Sequence, residues 1–186
     1  MKLVKDEIKN VDLSYFDNLL EHFSYLKNEG EHYRLLTYIS NQYNKESIID
    51  AGTCQGHSCL ALAQNENNMI RTYDIVSKDI HYITDNYKNV IKKILDINLE
   101  TSVILEKAKI ILLDIDPHDG NSEICFYNKL ASTNFNGFLI CDDINLNDGM
   151  KDFWNSIDKE KYDISELGHW SGTGIVNFSD EKIEII

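Results

Sequence analysis

The 186-residue chain holds a single proline (Pro117), two arginines (Arg34 and Arg71) and four cysteines. One proline and nine scattered glycines leave no linker, no repeat and no low-complexity segment, so residues 1–186 read as one domain with one substantial core. Cys54, Cys59, Cys125 and Cys141 stand singly, which argues against a disulfide frame or a zinc site and for reduced thiols in a cytoplasmic protein. Few cations against 31 acids give a net charge of −13, which disfavours a nucleic-acid backbone as partner. No run approaches the ~20 apolar residues that cross a bilayer, and the amino terminus lacks the apolar segment of a secretion signal, so no membrane partner is expected. These absences leave an acidic globular domain suited to a small neutral or cationic substrate.

Periodicity supplies the organisation. Leu13, Phe16, Leu19, Leu20, Phe23 and Leu26 recur at helical spacing and predict an amphipathic helix over 12–28, stopped at Asn28-Glu29-Gly30. Leu35, Leu36, Ile39 and Tyr43 predict a second helix over 31–43, so residues 1–45 read as a helical appendage with a surface suited to a homodimer. Short apolar runs then predict strands at 48–51, 69–74, 89–95, 109–115 and 136–141. Helices are predicted near 56–65, 77–87, 99–107, 121–132 and 148–158. Two closing strands, 161–166 and 173–178, lie close enough to form an antiparallel hairpin. Alternating strands and helices with apolar strands imply an α/β fold over 46–186: a Rossmann-like doubly wound sheet, mostly parallel, with a C-terminal antiparallel hairpin.

In such a sheet, ligands sit at the carboxyl ends of the strands, near the point where strand order reverses. The first strand ends in Asp50-Ala51-Gly52-Thr53-Cys54-Gln55-Gly56-His57-Ser58, a glycine-bracketed turn opening a helix. Glycines let backbone approach a ligand, and the helix start offers free N–H groups, with Ser58 placed to meet an anionic end. Cys54 stands where the dinucleotide fingerprint G-x-G-x-x-G has its second glycine, which makes the loop poorly suited to a tightly held pyrophosphate. Asp74 follows Gly52 by 22 residues, close to the ~20-residue interval of a ribose-binding acid. Asp96 ends the third strand, placed to meet an adenine amino group.

The fourth strand runs into Asp114-Ile115-Asp116-Pro117-His118, and the fifth into Asp142-Asp143. Neighbouring strands lie about 4.8 Å apart, so these acids converge at one rim. Clustered like charges call for a cation or a shared proton, and oxygen donors favour a hard ion such as Mg²⁺ or Ca²⁺.

Together, Asp-x-Gly-Thr-x-x-Gly-x-Ser, Asp74, Asp114-x-Asp116 and Asp142-Asp143 resemble the class I S-adenosylmethionine-dependent methyltransferases. Within these they are most similar to the metal-dependent O-methyltransferases of the catechol, caffeoyl-CoA and macrocin types, over residues 46–178. The resemblance implies S-adenosylmethionine bound by Asp50, Gly52, Thr53, Gly56, Ser58, Asp74, Asp96 and Asp114. It also implies Mg²⁺ held by Asp114, Asp142 and Asp143, and a small-molecule hydroxyl acceptor. Asp142-Asp143 resembles the macrocin branch, because the catechol branch has Asn second. Asp116 matches that branch's proposed general base, and no lysine stands near Asp114 as in catechol-type enzymes. His118 is the alternative base, an imidazole being the side chain that changes charge nearest neutral pH.

Two other readings compete: a nicotinamide-dependent oxidoreductase, disfavoured by Cys54 and the acid cluster, and a non-catalytic domain binding a nucleoside or a partner. Among the remaining residues, His57 reads as a partly exposed helix-start side chain. His169 and Trp170 read equally as a pocket wall or an edge turn.

Overall fold

The computed structural model describes residues 1–186. Its centre is the run of strands β2 (Ser47–Ala51), β3 (Met69–Asp74), β4 (Val90–Ile94), β5 (Ala108–Leu113), β6 (Phe138–Asp142), β7 (Lys161–Asp163) and β8 (Thr173–Asn177), whose order is β4-β3-β2-β5-β6-β8-β7. The first five are parallel; β8 joins β6 antiparallel and pairs β7 as the expected hairpin, Tyr162 opposite Ile175. Strand order reverses between β2 and β5, so the crevice that binds ligands in open α/β sheets falls at their carboxyl ends.

Side chains alternate across a strand, and here both faces are apolar. Ile48, Ile110, Leu112, Phe138 and Ile140 enter one core cluster; Ile49, Ile111, Leu113, Leu139 and Cys141 enter the other. All ten are at most 1% exposed, as buried parallel strands require. The second face is covered by α6 (Asn121–Ala131) and α7 (Asp148–Ser156), through Phe126, Leu130 and Phe153. The first is covered by α2 (Tyr33–Asn41) and α3 (His57–Ala63). Thr37 and Ser40 donate hydroxyl hydrogens to the carbonyls of Ala61 (3.0 Å) and Leu62 (2.7 Å), binding α2 to α3.

The helix expected over 12–28 does not form. Asp12 accepts hydrogen bonds from the backbone (2.9 Å) and hydroxyl (2.7 Å) of Ser14, a local bonding pattern that competes with helix. The chain instead makes a 3₁₀ turn over Ser14–Leu19 followed by further turns. Leu13, Phe16 and Leu26 are still buried, in the same cluster as Ile48 and Ile110, so they pack on this chain's own core. The second expected helix shortens to α2. The helices expected over 77–87 and 99–107 shrink to α4 (His81–Thr84) and α5 (Ser102–Leu105). Strand β7 ends early because the Asp163 carboxylate accepts the Ser165 N–H (3.0 Å) and starts a 3₁₀ turn at Ser165–Leu167. A feature without any sequence signal is the parallel pairing of β1 (Lys2–Leu3), which precedes α1 (Lys5–Lys9), with β9 (Glu184–Ile185). Both strands are two residues long, too short for periodicity to register. No helix is long and apolar enough to cross a membrane.

Candidate functional site

The loop after β2 is built on backbone that few side chains tolerate. Gly52 has φ +108°, and a Cβ there would stand 1.6 Å from the Asp114 carbonyl oxygen, so the β2 and β5 exits touch through it. Gly56 has φ +83°, and a Cβ there would meet Ile83 and Ile80 at 2.6 and 2.9 Å. Cys54, at φ +43°, holds a left-handed conformation without being glycine. The Gly52 and Thr53 N–H groups both donate to the Tyr73 carbonyl (2.9 Å each). The Cys54 N–H donates to Asp74 Oδ2 (3.1 Å) and the Val76 N–H to Asp74 Oδ1 (3.0 Å). Beneath the loop, the Thr72 hydroxyl donates to Asp50 Oδ2 and meets the Thr53 hydroxyl, both at 2.6 Å. Burial pushes the Asp50 carboxyl up to about 6, against opposing hydrogen bonds from Thr72 and Ser58.

Over this loop lies a cavity of about 410 Å³ that spans the ends of β4, β3 and β2 and the segment after β5. Asp74, Asp96, Ile75, Val76, Leu95 and Ile97 line it beside the β3 and β4 ends, and Asp114, Asp116 and His118 line it after β5. Asp96 accepts the Asn98 N–H on Oδ1 (2.8 Å), leaving Oδ2 open. A carboxylate offers about four acceptor positions, so both Asp74 and Asp96 keep capacity for a ligand. Lys78 Nζ stands 3.8 Å from Asp74.

Beyond His118 the rim continues as alternating acids and imidazoles. His118 Nε2 lies 3.5 Å from Asp116 Oδ1 and 3.8 Å from Asp114 Oδ1, while its Nδ1 lies 3.4 Å from Asp143 Oδ2. The Asn147 amide donates to the His118 carbonyl (2.7 Å) and holds that left-handed residue, φ +55°. Asp143, φ +59°, accepts a short bond from the Ser171 hydroxyl and faces His169 Nδ1 at 3.2 Å. Asp142 Oδ2 faces His169 Nδ1 (3.3 Å) and His32 Nδ1 (3.2 Å), and its Oδ1 accepts from the Thr173 hydroxyl (3.3 Å). Those imidazoles hold the Asp142 carboxyl well below the usual carboxylate range despite burial, His32 foremost. Burial works against the charged form of His169, yet its bonds to Asp142 and Asp143 raise it to about 10. Asp114 moves the other way, well above the carboxylate range, through burial first and the Asp142 charge second.

The expected residues therefore sort into three groups. Gly52, Asp74, Asp96, Asp114, Asp116 and His118 line one cavity. Asp50, Thr53, Gly56 and Ser58 lie behind the loop: Asp50 is 0% exposed and Ser58 6%, so they brace it from beneath and do not face the cavity. The three acids expected to share an ion are divided: Asp114 and Asp143 cluster with His118, and Asp142 clusters with His32 and His169. His57 is not partly exposed but 6% exposed, packed edge-on against Phe23, Phe16 and Tyr33. That surrounding lowers it to about 4. Trp170 is 73% exposed and forms no wall, whereas its neighbour His169 belongs to the rim. Sequence reasoning missed Glu31 and His32, which come to the rim from the turn before α2; a lone histidine at a helix start carries no spacing signal.

This donor set does not fit Mg²⁺ held by three acids. Mg²⁺ demands oxygen ligands in near-ideal octahedral geometry. Here every one of the three carboxylates has an imidazole nitrogen within 3.8 Å. The cavity does fit a nucleoside-bearing cofactor: two open carboxylates flank apolar walls, and Gly52 brings bare backbone to the surface.

No protein-family model matches the chain, and no curated protein does. Solved structures do. A methyltransferase from Geobacter sulfurreducens superposes with TM-score 0.64 at 13% identity, covering 90% of each chain. The S-adenosylhomocysteine-bound Podospora anserina methyltransferase PaMTH1 gives TM-score 0.60 at 14% identity, covering 88% of each. A SAM-dependent O-methyltransferase from Thermotoga maritima gives 0.57 at 11% identity, covering 81% of this chain and 65% of that one. The fold is thus the Rossmann-like methyltransferase fold.

Proposed function

We propose that this chain is an S-adenosylmethionine-dependent methyltransferase acting on a hydroxyl of a small acceptor. The observation that carries this reading is one cavity that runs from the glycine loop and Asp74 to the acid–imidazole rim at His118. It offers a nucleoside pocket at one end and proton-accepting groups at the other. The methyltransferases that share the fold, one of them with S-adenosylhomocysteine bound, support it.

When bound, S-adenosylmethionine supplies an electrophilic methyl group on a sulfonium. Asp74 would accept from the ribose hydroxyls, Asp96 would accept from the adenine amino group, and Ile75, Leu95 and Ile97 would offer the ring apolar surface. The net charge of −13 favours a cationic cofactor over its neutral product. At the rim, alignment of the acceptor oxygen with the methyl carbon supplies most of the rate gain available to such a transfer. His118 takes the hydroxyl proton as the new C–O bond forms and the S–C bond electrons stay on sulfur. His118 is preferred to Asp116 because Asp143, Asp116 and Asn147 fix it in place, while the Asp116 side chain is 86% exposed. Burial and the neighbouring Asp142 charge raise the Asp114 carboxyl well above the usual carboxylate range, which favours less charge among the rim acids. The Mg²⁺ of the family resemblance has no part in these steps.

Calorimetric titration of S-adenosylhomocysteine tests the cofactor half. Micromolar binding, weakened about tenfold or more in Asp74→Asn, is expected, since hydrogen bonds to a charged group are worth roughly 1.5–3 kcal/mol. Absence of binding overturns the reading. A screen of hydroxylated acceptors with isotope-labelled cofactor then tests the acceptor class.

A further inference from the structure

We propose that His32, Asp142 and His169 form a binding site for a first-row transition-metal cation of mixed nitrogen and oxygen preference, of the zinc, cobalt or manganese class. The three residues arrive from separate parts of the chain: the turn before α2, the end of β6 and the turn before β8. Their ligand atoms lie within 4.8 Å of one another. His32 is 4% exposed, and its Nδ1, buried and without a hydrogen-bond partner, faces Asp142 Oδ2 at 3.2 Å. It is near enough to bond that oxygen but off the line that an N–H···O bond needs. His169 Nδ1 lies 3.3 Å from the same oxygen. Donors about 2.0–2.2 Å from a shared metal stand roughly 3.0–3.5 Å apart along a tetrahedral or octahedral edge, which is the separation of each imidazole nitrogen from Asp142 Oδ2.

The surroundings are those of a ligand set. Thr173 occupies Asp142 Oδ1, leaving Oδ2 turned toward both imidazoles. Glu31 Oε2 lies 3.8 Å from His169 Nε2, a carboxylate placed on the far nitrogen as in metal-bound histidines generally. His169 Nδ1 also has Ser171 Oγ at 2.6 Å and Asp143 Oδ1 at 3.2 Å. The two imidazole rings lie with centroids 5.4 Å apart. Two imidazoles and a carboxylate are a donor set suited to one borderline metal.

The site stands independently of the methyl-transfer reading, because the metal alone is the probe. The purified full chain, stripped with chelator, is titrated with Co²⁺, Zn²⁺, Mn²⁺ and Mg²⁺ by calorimetry and by visible absorption for Co²⁺. One equivalent of Co²⁺ or Zn²⁺ at micromolar affinity is expected, with Mg²⁺ at least a hundredfold weaker. His32→Ala and His169→Ala each weaken Co²⁺ binding at least tenfold, with folding checked by circular dichroism. Nitrogen modulation of the Mn²⁺ spin echo in the unaltered protein reports imidazole ligation whether or not the variants fold. Failure of Co²⁺ and Zn²⁺ to bind overturns the proposal and leaves the three residues an ion-paired network. Mg²⁺ preference, or absence of a nitrogen signal, overturns it too. S-adenosylhomocysteine titrated in parallel separates this failure from failure of the methyltransferase reading.

Discussion

Gly52 and Asp114 touch backbone to backbone: a single added carbon on Gly52 would lie 1.6 Å from the Asp114 carbonyl oxygen. Gly52→Ala must therefore push apart the β2 and β5 exits, on top of its strained φ of +108°. We expect a loss of more than about 4 kcal/mol, read as a fall in Tm of roughly 10 °C or more. Gly30→Ala is the control, with φ +95° but its nearest neighbour 3.6 Å away. It should lose only about 1 kcal/mol. Equal losses in thermal melts would mean that conformation, not contact, governs the loop.

The Asp50 carboxyl, raised by burial to about 6 in the folded protein from an ordinary 3.8, makes stability depend on pH with an unusual sign for an acid. The folded state holds the proton more tightly than the unfolded one, so this group's contribution declines as pH rises from about 4 to about 6 and is level above. Asp50→Asn removes the dependence. Urea unfolding should show the variant gaining roughly 3 kcal/mol relative to the parent between pH 4 and 7. A pH-independent difference between the two would contradict this.

His57 acts in the opposite direction. Burial among aromatic rings lowers it from 6.5 to about 4, so the unfolded chain takes up its proton first on acidification. The stability that His57 permits at neutral pH is lost as pH falls from 6.5 toward 4. His57→Phe should flatten that part of the stability curve in melts run at pH 7, 6 and 5, and a parallel curve would refute the assignment.

His118→Asn and Asp116→Asn separate the two candidate bases. Once an acceptor is in hand, the histidine variant should lose 10²- to 10⁴-fold in kcat, the usual worth of a positioned base. The exposed Asp116 should cost less than tenfold, and binding of S-adenosylhomocysteine should change little in either variant. The reverse order would move the proton to Asp116.

The sheet was legible because its central strands are apolar on both faces: Ile48-Ile49 and Ile110-Ile111-Leu112-Leu113 can sit only inside a layered α/β core. Asp74, Asp96, Asp114 and Asp142 were legible because topology sends every strand end to one rim. The segment 12–28 misled because helical spacing reports which residues turn inward, and a string of turns around Phe16 satisfies the same requirement. His32 and His169 were hidden for a different reason. Their meeting depends on two turns whose placement only the packed core decides, with the Trp170 N–H donating to the Gly30 carbonyl at 2.8 Å to tie them.

The loop leaving β5 sits at the boundary between two differently built halves. The side holding Asp74 and Asp96 is made of strand ends locked into the central sheet, while the rim beyond Asp143 borrows Glu31, His32, His169 and Ser171 from two surface turns tied to each other. Those turns form an exchangeable fitting. Replacing residues 29–32 and 168–171 together should change the rim while the end of the cavity at Asp74 and Asp96 keeps its shape.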